Sequence, residues 1–144
     1  MIELIVVIAI IALVVTVVSS GLSSFRKEIE LTGAASEIVS VFKEARARTL
    51  ASESASQFGV HIESSQLVLF KGATYNEVAS DNEVFRLSGL IEVSSINLGG
   101  AVDVAFELIS GSVSASGSFT IRLKSNASRT KTIIIQPTGL AYVQ

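Results

Sequence analysis

Cysteine and tryptophan are absent from this 144-residue chain, and proline and histidine occur once each. Without cysteine there is neither a disulfide framework nor thiol chemistry, although an extracytoplasmic site would permit disulfides. His61 alone supplies neither a three-ligand zinc site nor a catalytic triad. A Gly-x-Ser-x-Gly elbow and a phosphate-binding Gly-Lys-Ser/Thr loop are also missing, so no enzymatic activity, cofactor or metal is expected. The formal net charge of -2 offers no basic surface to nucleic acid and no polybasic patch to acidic lipid.

What the chain does have is a long apolar run at its start. Over residues 2–22 the polar members are Glu3, Thr16, Ser19 and Ser20. About 21 residues at about 1.5 Å each give roughly 30 Å of helix, the thickness of a bilayer's hydrocarbon core. The span is expected to be lined by Ile2, Leu4, Ile5, Val6, Val7, Ile8, Ile10, Ile11, Leu13, Val14, Val15, Val17 and Val18. A cleavable secretory signal needs a basic region before the run and a small-x-small site after it; nothing basic precedes Ile2, and Ser19-Ser20-Gly21 is a loose match. Arg26 and Lys27 follow the span, which by the positive-inside tendency would hold the remainder in the cytoplasm. Either the topology is inverted or a basic leader belongs before Met1.

Glu3 favours the leader. A carboxylate central in a membrane helix costs about 2.5 to 3.5 kcal/mol on insertion scales and less near an end, so such a group is usually paired and functional. The stretch Ile2-Glu3-Leu4-Ile5-Val6-Val7-Ile8-Ala9-Ile10-Ile11-Ala12-Leu13 resembles the N-terminal helix of type IV pilins and type II secretion pseudopilins. There a basic leader ends in Gly and the mature chain opens Phe-Thr-Leu-Ile-Glu-Leu, so Met1 falls on the Leu of that pattern. The resemblance implies that Glu3 pairs with the free N-terminal amine of a neighbouring subunit during filament assembly. The alternative is a helix-end carboxylate near the headgroups, favoured by the helix dipole.

The helical signal continues past the apolar run. No proline falls between Ile2 and Ser56, and Gly21 and Gly33 are tolerable or kinking within a helix rather than terminating it. Leu31, Ala35, Ile38, Phe42, Ala45 and Thr49 recur at spacings of three and four, which places them on one face, expected to pack on the sheets. Lys27, Glu30, Glu37, Lys43, Glu44 and Arg48 lie opposite, and Arg26 with Glu30 and Glu44 with Arg48 have helical ion-pair spacing. Three regions follow: 1–24, the membrane or filament-core half of a helix; 25–56, its amphipathic half; and 57–144, a β-rich domain, with 25–144 forming one soluble domain.

From residue 57 the period becomes two. Phe58, Val60 and Ile62 alternate with Gly59 and His61, an exposed strand position, and Ser64-Ser65 leads into a second strand over 66–70, which reads as a hairpin. Residues 84–87 and 91–98 read as a second pair around Ser88-Gly89. A half-buried strand is expected over 102–108, another carries Phe119, Ile121 and Leu123, and a turn at Pro137-Thr138-Gly139 joins a last pair. Residues 110–118, rich in Ser and Gly, read as a mobile loop. One long helix followed by about eight short strands implies an α+β fold in which antiparallel sheets, or a sandwich, pack on the helix.

The order of smaller motifs extends the resemblance. Ala45-Arg46, the hairpin opening Gly59-Val60, Phe106 followed by Gly111, and the closing Gly139-Leu140-Ala141-Tyr142-Val143 resemble the H-type minor pseudopilins, the GspH/FimT group. The resemblance implies a pilin-like fold and a structural subunit of a filament. Its partners would be other pilin or pseudopilin subunits, an assembly platform with its ATPase, a prepilin peptidase acting on the full-length precursor, and lipid of the bacterial cytoplasmic membrane. Before assembly the chain would cross that membrane once, with its globular domain extracytoplasmic. The alternatives are a major pilin, or a minor pilin that binds DNA or a secreted substrate. A DNA-binding branch uses a C-terminal Gly-Arg-x-Arg motif, and here Gly139-Leu140-Ala141-Tyr142 carries neither arginine, so nucleic acid is disfavoured. Some related major pseudopilins bind calcium, but Ser80-Asp81-Asn82-Glu83 lacks EF-hand spacing and reads as a solvated turn.

Overall fold

The computed structural model describes residues 2–144, with the side chains of 17–24 and of 54 outside the description. The fold is α+β. Helical backbone runs over Ile2–Leu50 (α1), followed by a short 3-10 turn, Glu53–Ala55, and eight strands. The chain divides into two compact units, Met1–Glu30 and Leu31–Gln144.

The first unit is helical, and its described large apolar side chains are not covered. Every large apolar residue from Ile2 to Val15 is between 51% and 79% exposed, on all sides of the helix. Phe25 and Ile29 are exposed as well. Thr16 returns its hydroxyl to the carbonyl of Ala12 at 2.8 Å, satisfying a polar group within the helix itself.

The second unit is built round one stripe of α1. Leu31, Ala35, Phe42, Ala45 and Thr49 have no exposed surface and Ile38 has 1%. A 3.6-residue period keeps these positions on one side, and that side meets the inward residues of both sheets in a single core. Phe42 lies 6.0 Å from Phe119 between ring centroids, in a tilted pairing.

The strands are β1 Phe58–Ile62, β2 Gln66–Lys71, β3 Glu83–Arg86, β4 Ile91–Asn97, β5 Asp103–Ala105, β6 Gly117–Leu123, β7 Asn126–Ile135 and β8 Ala141–Val143. They form two antiparallel sheets, ordered β3-β2-β1-β5 and β4-β6-β7-β8. In the first sheet Val60 lies opposite both Leu69 and Val104, so these three share the core face. In the second, Phe119, Ile121 and Leu123 point inward with Ile133 and Ile135, and Thr120 and Thr132 face each other outside.

Three expectations are corrected. Residues 84–87 and 91–98 do not form a hairpin: β3 pairs with β2 and β4 with β6. A tight turn, with the Ile91 amide donating to the Ser88 carbonyl, carries the chain from one sheet to the other instead of folding β4 back on β3. The strand expected over 102–108 is confined to Asp103–Ala105, because a turn closes between Glu107 and Ser112 and places Ile109 at φ 73°. The amphipathic stretch expected to reach residue 56 leaves the α-helix at Leu50, where Ser52 turns left-handed at φ 51°.

A buried hydroxyl ties the helix end to the first sheet. The Phe58 amide donates to Thr49 Oγ1 at 2.9 Å, and that hydroxyl donates to the Ala45 carbonyl at 2.9 Å. Replacing Thr49 by Val keeps the shape and orphans the Phe58 amide, which is expected to cost about 1 to 3 kcal/mol. Phe42→Ala is expected to cost about 3 to 5 kcal/mol. Urea unfolding followed by circular dichroism checks both, and an unchanged midpoint in Phe42→Ala contradicts the placement of this side chain.

Candidate functional site

Glu3 is the one ionisable group among the exposed apolar side chains of residues 2–16. It is exposed, lies in the first turn of α1, and has no ion-pair partner among the described residues. The amide ends of that turn favour a carboxylate there. Of the residues expected to line a membrane span, Ile2, Leu4, Ile5, Val6, Val7, Ile8, Ile10, Ile11, Leu13, Val14 and Val15 are exposed. Val17 and Val18 lie outside the described side chains, as does Met1. Among the described residues no helix is long and apolar enough to cross a membrane.

At the other end of α1 the cations behave differently from one another. Arg48 donates to Glu44 at 2.5 Å and to both carboxylate oxygens of Glu83 on β3, and its guanidinium lies 5.8 Å from the Phe58 ring centre. Its pKa is raised, first by the hydrogen bond to Glu83, with burial opposing and Glu44 adding to the rise. Arg46 is part-buried and donates from Nε to the Gly111 carbonyl at 3.2 Å. Gly139 packs directly on that carbonyl: a Cβ there would lie 2.0 Å from the Gly111 oxygen, and its φ of 80° is itself a glycine conformation. Two glycines therefore allow the 107–112 turn and the β7–β8 turn to meet at the helix end.

The turn that Gly111 closes is not a loose loop. Ser112 donates to a Glu107 carboxylate oxygen at 2.5 Å, and Ser110 lies 3.4 Å from the same oxygen. The Gly111 amide donates to the Glu107 carbonyl at 2.9 Å. The loop expected over 110–118 is shorter at its end, because Gly117 and Ser118 belong to β6, and at its start one carboxylate gathers both hydroxyls.

His61 is not an exposed strand residue. Its side chain is 16% exposed, with Nδ1 hydrogen-bonded to the Asp103 carboxylate and Nε2 at 3.6 Å from Glu63. Tyr75 stacks on the imidazole with centroids 4.0 Å apart and planes at 11°, and its ring also meets Phe70 at 5.7 Å. Tyr75, from the chain between β2 and β3, thus covers His61 and Phe70 on the outer side of the first sheet, where Phe70 is buried although it faces away from the helix. Sequence alternation pointed to a wet face because it could not show what would fold back over it. Among the described residues no cluster of three or more His, Asp or Glu side chains has the arrangement of a metal site.

No family model, no curated protein and no solved structure matches the chain. Its candidate sites therefore rest on the residues themselves.

The Tyr75 phenol is pushed above its ordinary value, first by partial desolvation and then by the carboxylates of Glu63, Glu77 and Asp103. A raised tyrosine pKa means that the fold favours the neutral phenol. The contribution is fully present below the unfolded value of 10.0 and is lost as pH rises through the folded value. In a Tyr142→Phe variant, absorbance titration should show Tyr75 ionising above pH 10 when folded and reverting in urea; identical midpoints contradict the desolvated setting of this phenol among carboxylates.

Proposed function

We propose that this chain is a structural subunit of a pilus-like filament, of the type IV pilin and type II secretion pseudopilin kind and closest in motif order to the H-type minor pseudopilins. Residues 2–22 form a single span of the cytoplasmic membrane before assembly, with the globular domain extracytoplasmic. Assembly then moves that span from lipid into a filament core made of the same helix from other subunits. Glu3 sets the register there by pairing with the N-terminal amine of a neighbour, so that two charges are neutralised in an apolar surrounding. The driving chemistry belongs to partners: an assembly platform with its ATPase, and a prepilin peptidase that trims the precursor. The subunit itself is not an enzyme and carries no cofactor.

One observation supports this reading above the others. The apolar side chains of residues 2–15 are exposed on every side of the helix. A helix that packs on its own domain buries one stripe and shows polar residues elsewhere, as residues 31–49 do. A helix apolar all round is stable only inside lipid or inside a larger helical core. A filament subunit that first resides in a membrane uses both surroundings in turn, and one carboxylate at the helix start is compatible with both.

Glu3→Gln removes the charge and keeps the shape. The variant is expected to fold and to enter the membrane fraction at the parent level, since loss of a carboxylate that lipid penalises only eases insertion. Its recovery in sheared filaments is expected to fall about tenfold or more, corresponding to a lost pairing of about 1.4 kcal/mol. Immunoblots of membrane and filament fractions measure this, and undiminished recovery in filaments removes the role of Glu3.

A further inference from the structure

A groove of about 340 Å³ opens at the surface of the second unit, between Lys43, Arg46, Ala47 and Leu50 of α1 and the turn and edge strand at Gly139–Ala141. Its walls are largely apolar: Leu50 is 39% exposed and Leu140 is 53% exposed. Its rim is cationic. Arg48 and Arg122 have carboxylate partners, whereas Lys43 and Arg46 have no ion pair among the described residues. Arg46 is nevertheless fixed, because its Nε is held by the Gly111 carbonyl at 3.2 Å.

The complementary surface lies on the same unit. Between β2 and β3 the chain carries Val78 at its tip, 87% exposed and flanked by the exposed acids Glu77 and Asp81. This tip is shaped by its own hydrogen bonds. Asn76 Oδ1 accepts from the Val78 amide at 3.2 Å, and Asn82 Nδ2 donates to the Asn76 carbonyl at 2.8 Å. Tyr75, stacked on His61, anchors it to the first sheet. An acidic tip held by its own hydrogen bonds and carrying one apolar side chain loses less conformational freedom on docking than an open loop. At such exposure, the Val78 side chain does not enter the groove of its own copy.

The geometry points to a second copy of this chain as the occupant of the groove: Val78 enters between Leu50 and Leu140, and Glu77 meets Lys43 and Arg46. The two patches differ, so the contact is heterologous and repeats head to tail, generating rings or open filaments rather than a closed pair. It deepens the filament reading, on which it rests for its setting, and adds a contact between soluble units that does not involve Glu3.

The chain has no cysteine, so introduced thiols report this contact directly. The full chain in detergent micelles is prepared as a Val78→Cys variant and, separately, as a Leu140→Cys variant, both altered only at exposed positions. Mild oxidation of the mixture is expected to yield a mixed disulfide dimer that neither variant forms alone. Adding Glu77→Lys to the first variant, or Lys43→Glu to the second, is expected to lower that yield about three- to fivefold, the range of a rim ion pair. Combining the two reversals restores it. Absence of the mixed disulfide, insensitivity to either reversal, or a dominant Val78→Cys homodimer overturns the proposal. The filament reading fails separately: a normal Glu3→Gln phenotype sinks that reading and leaves the disulfide result untouched, and the converse also holds.

Discussion

The stripe from Leu31 to Thr49 is the constraint on which the second unit depends. Phe42 meets Phe119 from one sheet, and Thr49 accepts the first amide of the other, so a single helix face organises both sheets. Each sheet has four strands, and the apolar inner face of each needs a surface to pack on. The helix supplies the missing apolar face. The sheets in turn fix where the helix ends, because β1 begins at the residue whose amide Thr49 receives.

The same helix obeys a different rule before residue 16. There the period disappears and apolar side chains point in every direction, which leaves no face for water. Hydrophobic stabilisation is non-directional and scales with area removed from water, so such a segment takes whatever apolar surrounding is supplied. Lipid and a bundle of identical helices both supply one. Glu3 breaks the equivalence: in lipid an unpaired carboxylate is penalised, whereas in a bundle a neighbour's cation can meet it. The proposed passage from membrane to filament follows from that difference.

Much of this was legible in the sequence where the pattern is local. The spacing of Leu31, Ala35, Ile38, Phe42, Ala45 and Thr49 marks the buried stripe, and the alternation of Phe119, Ile121 and Leu123 marks an inward strand face. Pairing across long separations was not legible. Ser88-Gly89 looks like a hairpin turn, and nothing local says that β3 and β4 belong to different sheets. His61 reads as exposed because its cover, Tyr75, comes from a loop whose path no period encodes. Gly111 and Gly139 were visible as glycines, but their mutual contact under Arg46 depends on the assembled fold. Glu3 was legible by contrast with its surroundings, since one charge among so many apolar residues is itself a signal.

The central claim is that the N-terminal helix is covered by lipid on all sides before it is covered by its own kind. Single cysteines placed one at a time from Leu4 to Val15, in a chain without native cysteine, allow this to be measured by reaction with a membrane-impermeant maleimide in intact membrane vesicles. The account predicts uniform protection along those positions, with a control cysteine at the exposed Glu37 labelled readily once the face bearing the globular domain is accessible. Labelling that rises and falls every three to four residues would show one face packed on a soluble partner and the other in water, and would contradict it.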